Sequence, residues 1–240
     1  MKTAFRLSRY HLALYLRTSR FAMQAVALVL FVAVLYSTAP AEAVSDFTLS
    51  AVVLFFLMVW VGFGMADDPV MEQLLSLKAG SAARQHLGDV LFLLTVAAIF
   101  GGMAVLYPVA VNLFMHGALY KLPLTVSDAL QAYALQVSAA LAGGVMGWFF
   151  HPRVLYDRKL AALTALMMAV VGLVKQGIAE AWPPFAAVGW LFPPLSDVAV
   201  RLSNKTAFLP GDTAWCCGAL ILYACALGLL RWAALVKRKY

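Results

Sequence analysis

Residues 67–89 read Asp67-Asp68-Pro69-Val70-Met71-Glu72-Gln73-Leu74-Leu75-Ser76-Leu77-Lys78-Ala79-Gly80-Ser81-Ala82-Ala83-Arg84-Gln85-His86-Leu87-Gly88-Asp89. This polar, helix-compatible stretch separates two long apolar runs, whereas the other connections are very short or rich in proline and aromatics. Asp67 and Asp68 before Pro69 form an N-cap with proline at the first helical position, where a missing N–H costs nothing. Met71, Leu74, Leu75 and Leu77 supply an apolar stripe, and Glu72, Gln73, Ser76 and Lys78 stay polar. Ala79-Gly80-Ser81 then ends the helix. The pattern predicts a short amphipathic helix between membrane spans, and its plainer alternative is a polar linker.

The surrounding sequence sets the class. With 64% hydrophobic and 12% charged residues and a mean hydropathy of +0.86, the chain lies far from the composition of soluble domains. It reads as an all-α polytopic membrane protein. Six apolar runs are bounded by charges: residues 21–39, 47–66, 90–112, 129–150, 160–174 and 213–230. Each is near the ~20 residues that cross a bilayer, except the fifth, which is short. Pro108 is expected to kink or end the third. The net charge of +7 does not indicate nucleic acid, because the basic residues flank spans and no soluble basic face is available.

Alternating the spans from an N-terminus inside puts 14 of the 18 Lys and Arg on the cytoplasmic side and leaves Lys121, Lys175, Arg201 and Lys205 outside. This asymmetry predicts N-in/C-in topology with six spans. The first 20 residues place Phe5, Leu12, Tyr15 and Leu16 on one side of a helix, with Arg6, Arg9, Arg17 and Arg20 largely elsewhere. That suits an interfacial helix. A secretory signal cleaved near Ala41-Glu42-Ala43 is the competing reading, disfavoured by the length of the basic and apolar regions.

Catalytic motifs are missing: no Gly-x-x-x-x-Gly-Lys-Ser/Thr, no Gly-x-Ser-x-Gly and no His-Glu-x-x-His. No catalytic residue, metal ligand or bound cofactor is expected of this chain. His11, His86, His116 and His151 fall in four segments and read as solvated interfacial histidines. Cys216, Cys217 and Cys225 read as small packing residues. Gly101-Gly102 and Gly143-Gly144 with Gly147 allow helices to approach closely inside one subunit. No charge is expected inside the first four spans, which argues against an ion relay. Between residues 177 and 212 lie Trp182, Pro183, Pro184, Trp190, Phe192, Pro193 and Pro194, too apolar for an ordinary solvated loop. Lys175 and Glu180 flank its entry, where they could pair with each other or touch substrate.

The run Glu72-Gln73-Leu74-Leu75-Ser76-Leu77, then Gly80-Ser81, then Leu87-Gly88 before an apolar span, resembles the coupling-helix region of ABC-2-type transporter permeases. The six-span layout and the basic N-terminal helix match as well. Asp68-Pro69 stands where members often carry an acidic-basic-Gly turn, and Asp89 stands in place of the usual Lys. The resemblance implies a cytoplasmic coupling helix between spans two and three, with Asp68, Glu72, Gln73, Leu74, Leu75 and Leu77 docking on a separate ATPase. It implies two permeases, the second a copy or a homologue, and two ATPase subunits that bind ATP and Mg. It also implies a re-entrant outer gate before span six containing Lys175, Glu180, Trp182 and Trp190, and a place in a bacterial cell membrane. An ATP-independent transporter or channel, or a polytopic membrane enzyme, remains the alternative.

Overall fold

The computed structural model describes residues 2–17, 19–65, 82–151, 157–203 and 205–237. Its helices are α1 (Lys2–Arg17), α2 (Ser19–Leu35), α3 (Ala43–Phe63), α4 (Ala82–Phe114), α5 (Val126–Phe149), α6 (Arg158–Ala181), α7 (Leu195–Ser203) and α8 (Pro210–Lys237). Two 3-10 turns, Pro183–Ala187 and Gly189–Leu191, join α6 to α7. Among the described residues there is no strand, only an isolated bridge between Ala41 and Tyr120. Helices α3, α4, α5, α6 and α8 are long and apolar enough to cross a membrane. The count rises to six where the pair α1 and α2, which meet at a bend of 74°, holds one further crossing. The chain is thus all-helical with the character of a multi-pass membrane protein.

Local chemistry sets several helix starts. Thr125 Oγ1 accepts from the Asp128 N–H at 3.1 Å while the Asp128 carboxylate accepts from the Thr125 N–H at 3.1 Å, a reciprocal cap that opens α5. The Asp157 carboxylate accepts from the N–H groups of Lys159 and Leu160 and opens α6. One expectation is narrowed and another needs correcting. Pro108, expected to kink or end the helix, does not end it: it lies inside α4, which runs on to Phe114. In an apolar medium the neighbouring backbone has no better partner than its own helix, so one lost bond does not end it. The fifth apolar run is not short: α6 has 24 residues and takes in Lys175 and Glu180. The lysine is tolerated because it is paired, as described below.

Contacts between helix ends give an up-and-down order. One end of the bundle, the terminal end, gathers α1, the end of α3, the start of α4, and the ends of α5 and α8. There Phe63 stacks near His151, and Arg231 meets Trp148. The other, the loop end, gathers the connections around residues 36–46, 115–125 and 182–209, with Tyr36, Phe47, Tyr120 and Phe208 in ring contact.

The seam between α3 and α5 is the tightest. A β-carbon on Gly143 would lie 2.1 Å from the Phe55 carbonyl oxygen, and one on Gly147 would lie 2.0 Å from that of Val59. Only glycine permits this backbone-to-backbone approach. Gln136 of α5, fully buried, donates through Nε2 to the Phe47 carbonyl at 2.9 Å and to Ser50 Oγ at 2.5 Å. Lipid is as apolar as the side chains, so close packing and such internal hydrogen bonds hold the helices together. Helix α7 wedges among α3, α6 and α8.

Candidate functional site

The docking residues Asp68, Glu72, Gln73, Leu74, Leu75 and Leu77 lie outside the described residues. The chain returns at α4, and its first turns are the most heavily contacted polar region of the terminal end. Helix α1 crosses them. Leu7 rests on Gly88, where a β-carbon would meet the Leu7 side chain at 2.8 Å. His11 Nε2 lies 3.3 Å from Asp89 Oδ1, an ion pair when the imidazole is protonated, and both side chains are buried. Tyr15 sets its ring edge-on to Phe92 at 5.7 Å and to Phe21 at 5.6 Å, and its hydroxyl donates to Gln24.

The same turns of α4 also meet α5 and α8. The His86 ring stands 4.8 Å from the Trp148 ring at the end of α5. Arg231 of α8, 2% exposed, places its guanidinium 4.1 Å from the Trp148 ring centroid, and Nη1 donates to the Trp148 carbonyl. That carbonyl is in the last turn of α5, where the regular i+4 donors have ended, the His151 N–H reaches it only at 3.4 Å and the helix dipole is negative. A buried cation there gains an acceptor and an aromatic face, which offsets the cost of taking it out of water. His11, Asp89, His86, Trp148 and Arg231 thus tie α1, α4, α5 and α8 into one joint. It offers no nucleophile beside a base. Among the described residues no group of three His, Cys, Asp or Glu is placed to hold a metal.

Sequence reading missed this joint. His11 and His151 are buried rather than solvated, and Arg231, read as closing the last span, lies inside α8. Asp46 and Asp89 lie just before the apolar runs 47–66 and 90–112, but α3 and α4 begin earlier and take them into their first turns. Asp46 sits beside Tyr36 and Tyr120, whose phenols burial pushes up, so that both stay neutral.

At the loop end the residues after α6 fold back along it. Pro193 packs on Gly172, where a β-carbon would lie 2.3 Å from its ring. Gly172 is nine residues before Ala181, about 14 Å back along the helix axis. Lys175 Nζ pairs with Asp197 Oδ2 at 2.5 Å, and Gln176 Nε2 donates to Asp197 Oδ1 at 3.0 Å. Lys175 is therefore buried and engaged with Asp197, not with Glu180, which is exposed. Asp197 went unnoticed because its partner lies across the proline-rich turns. The Tyr223 hydroxyl donates to the Leu191 carbonyl at 3.4 Å. Arg201 and Lys205 both reach Asp212, at 2.8 and 3.3 Å, and Arg201 lies 4.6 Å from the Trp215 ring centroid. Trp182 and Trp190 are exposed, Trp190 at 77%.

Comparison of the chain with protein-family models, with curated proteins and with solved structures finds no match in any of the three.

Proposed function

We propose that this chain is the membrane-spanning permease subunit of an ATP-driven exporter of the ABC-2 type, with both termini in the cytoplasm of a bacterial cell. The observation that carries the reading is the joint at the start of α4. The segment 67–81, which resembles a coupling helix, leads directly into turns of α4 that are tied to α1 by Leu7 on Gly88 and His11 beside Asp89. The same turns touch α5 and α8 through His86, Trp148 and Arg231. A push on that segment therefore reaches four helices without bending any of them. Alternating spans assign 14 of the 18 Lys and Arg to the cytoplasmic side in the sequence, which supports the orientation.

In this mechanism two separate ATPase subunits, which bind ATP and Mg, dock under two permeases. Leu74 and Leu75 enter a groove on the ATPase, and Glu72 makes the polar contact. Closure of the ATPases tilts the spans, and the folded-back residues between α6 and α8 act as the exit lid, held shut by Lys175 and Asp197. The cargo is hydrophobic or amphiphilic.

The test is a mild-detergent pull-down of the tagged chain from its native membranes. A co-purifying P-loop ATPase is expected, lost when residues 72–77 are altered. In the reconstituted complex, Glu72→Ala and Leu74→Asp should leave insertion intact and reduce transport per ATP hydrolysed at least about tenfold, the scale of a lost interfacial hot spot. Recovery of the chain alone, stable and without ATPase activity, overturns the reading in favour of an ATP-independent transporter or an enzyme.

A further inference from the structure

We infer that the exposed face of α1 is a binding surface for anionic phospholipid headgroups, and that acidic lipid seats this helix against the start of α4. Helix α1 has three faces. Ala4, Leu7, Ser8 and His11 are buried against the bundle. At 100° per residue, Leu12, Phe5 and Leu16 follow along one edge, with Phe5 62% and Leu16 50% exposed. Next around the helix come Arg9, Arg6 and Arg17, all exposed. The arginine strip from Arg6 to Arg17 is about 16 Å long.

Among the described residues no carboxylate pairs with this strip. The first acidic residue of the chain is Glu42, and it pairs with Lys121 at the loop end. Among the described residues the acid paired with α1 is Asp89, which faces His11. None of the described ion pairs involves Arg6, Arg9 or Arg17.

Geometry puts the strip at headgroup level. Helix α4 has 33 residues and is about 50 Å long, against ~30 Å for the hydrocarbon core, so its ends project from the core. Helix α1 crosses α4 near its start, between Gly88 and Phe92, and turns 74° away from the direction of α2. Such a bend suits a helix that lies along the membrane surface, with α2 turning into the bilayer. An apolar edge beside a row of arginines, lying in that plane, matches the boundary between acyl chains and acidic headgroups. Guanidinium groups hydrogen-bond phosphate in a fork that ammonium groups lack.

Hydrogen exchange of the full-length chain in lipid nanodiscs tests this. One set of discs holds phosphatidylcholine alone, and the other phosphatidylcholine mixed with phosphatidylglycerol. Amides of residues 2–17 should exchange at least about tenfold more slowly with phosphatidylglycerol present, since each surface-bound basic residue adds to the attraction. The difference should shrink in high salt. The triple variant Arg6→Gln, Arg9→Gln, Arg17→Gln should lose it while exchange in α3 and α5 stays as in the parent, and the triple Lys variant should keep most of it. Equal exchange in both lipids, or a lipid effect that survives the Gln variant, overturns the proposal. So does protection that arises only when a protein partner is added, which would assign the strip to an acidic protein surface. The test needs neither ATPase nor cargo, so its failure leaves the permease reading standing, and failure of that reading leaves the lipid surface standing.

Discussion

Helices α5 and α6 are each 24 residues long and both qualify as spans, yet 61% of the most apolar stretch of α5 is buried and only 28% of that of α6. Helix α5 touches α3 backbone to backbone through Gly143 and Gly147. The buried strip of α6 consists of Ala161, Ala165, Ala169, Gly172 and Lys175, and its upper part is covered by the folded-back residues around Pro193 and Asp197. At its start an open cleft of ≈ 620 Å³, lined by Phe63, Asp157, Arg158, Lys159 and Ala162, separates it from α3. Apolar length alone does not place a helix in a bundle. Small residues on the facing side, or a polar contact that has nowhere else to go, decide which helix is locked and which is held at one end.

The largest effect should come from the locked seam. Gly143→Val puts carbon into the Phe55 carbonyl and should destabilise the bundle by about 3–5 kcal/mol, as overpacking does where backbone cannot retreat. Gly102→Ala, with only a Tyr133 ring carbon at 3.9 Å, should be neutral or gain up to ~1 kcal/mol from helix propensity. Unfolding in detergent–SDS mixtures reads both. If the two variants behave alike, close approach is not what locks α5.

A smaller loss is expected at the joint of the terminal end. Arg231→Ala removes the guanidinium donor from the Trp148 carbonyl, leaving it only backbone N–H contacts such as that of His151 at 3.4 Å, and opens a cavity where a side chain 2% exposed was packed. About 2–4 kcal/mol should be lost. Arg231→Lys should recover only part of it, because a lysine cannot both stack on the ring and donate in plane. Full recovery by lysine would show that charge alone mattered.

The smallest global effect belongs to α6. Asp197→Asn removes the partner of Lys175, and Gly172→Ala drives a β-carbon into Pro193. Each should cost about 1–2 kcal/mol locally and speed hydrogen exchange in residues 182–203 while α3 and α5 keep their protection. Loss of protection throughout the bundle would mean that α6 is locked as firmly as α5.

Much of the molecule is legible without coordinates. The apolar runs and the basic flanks can be read directly, and the glycines of α5 announce a close contact without naming the partner. The folded-back stretch shows itself by its prolines and tryptophans, but Asp197 does not stand out as the residue that holds it. At α1 the expected apolar side, Phe5, Leu12, Tyr15 and Leu16, differs from the buried one, which holds Ala4, Leu7, Ser8 and His11.

The reason is the solvent. In water, the face a helix buries is the apolar one, and periodicity reveals it. In a bilayer, lipid and neighbouring helix are equally apolar, so the pattern no longer says which side meets protein. The sequence by itself therefore determined the class of the protein and its long apolar helices. Only the tertiary structure decided that His11 meets Asp89, that Arg231 closes over Trp148 and that Lys175 finds Asp197. Those contacts depend on which helix faces come together across long separations in the chain, and small residues and buried polar pairs set that choice.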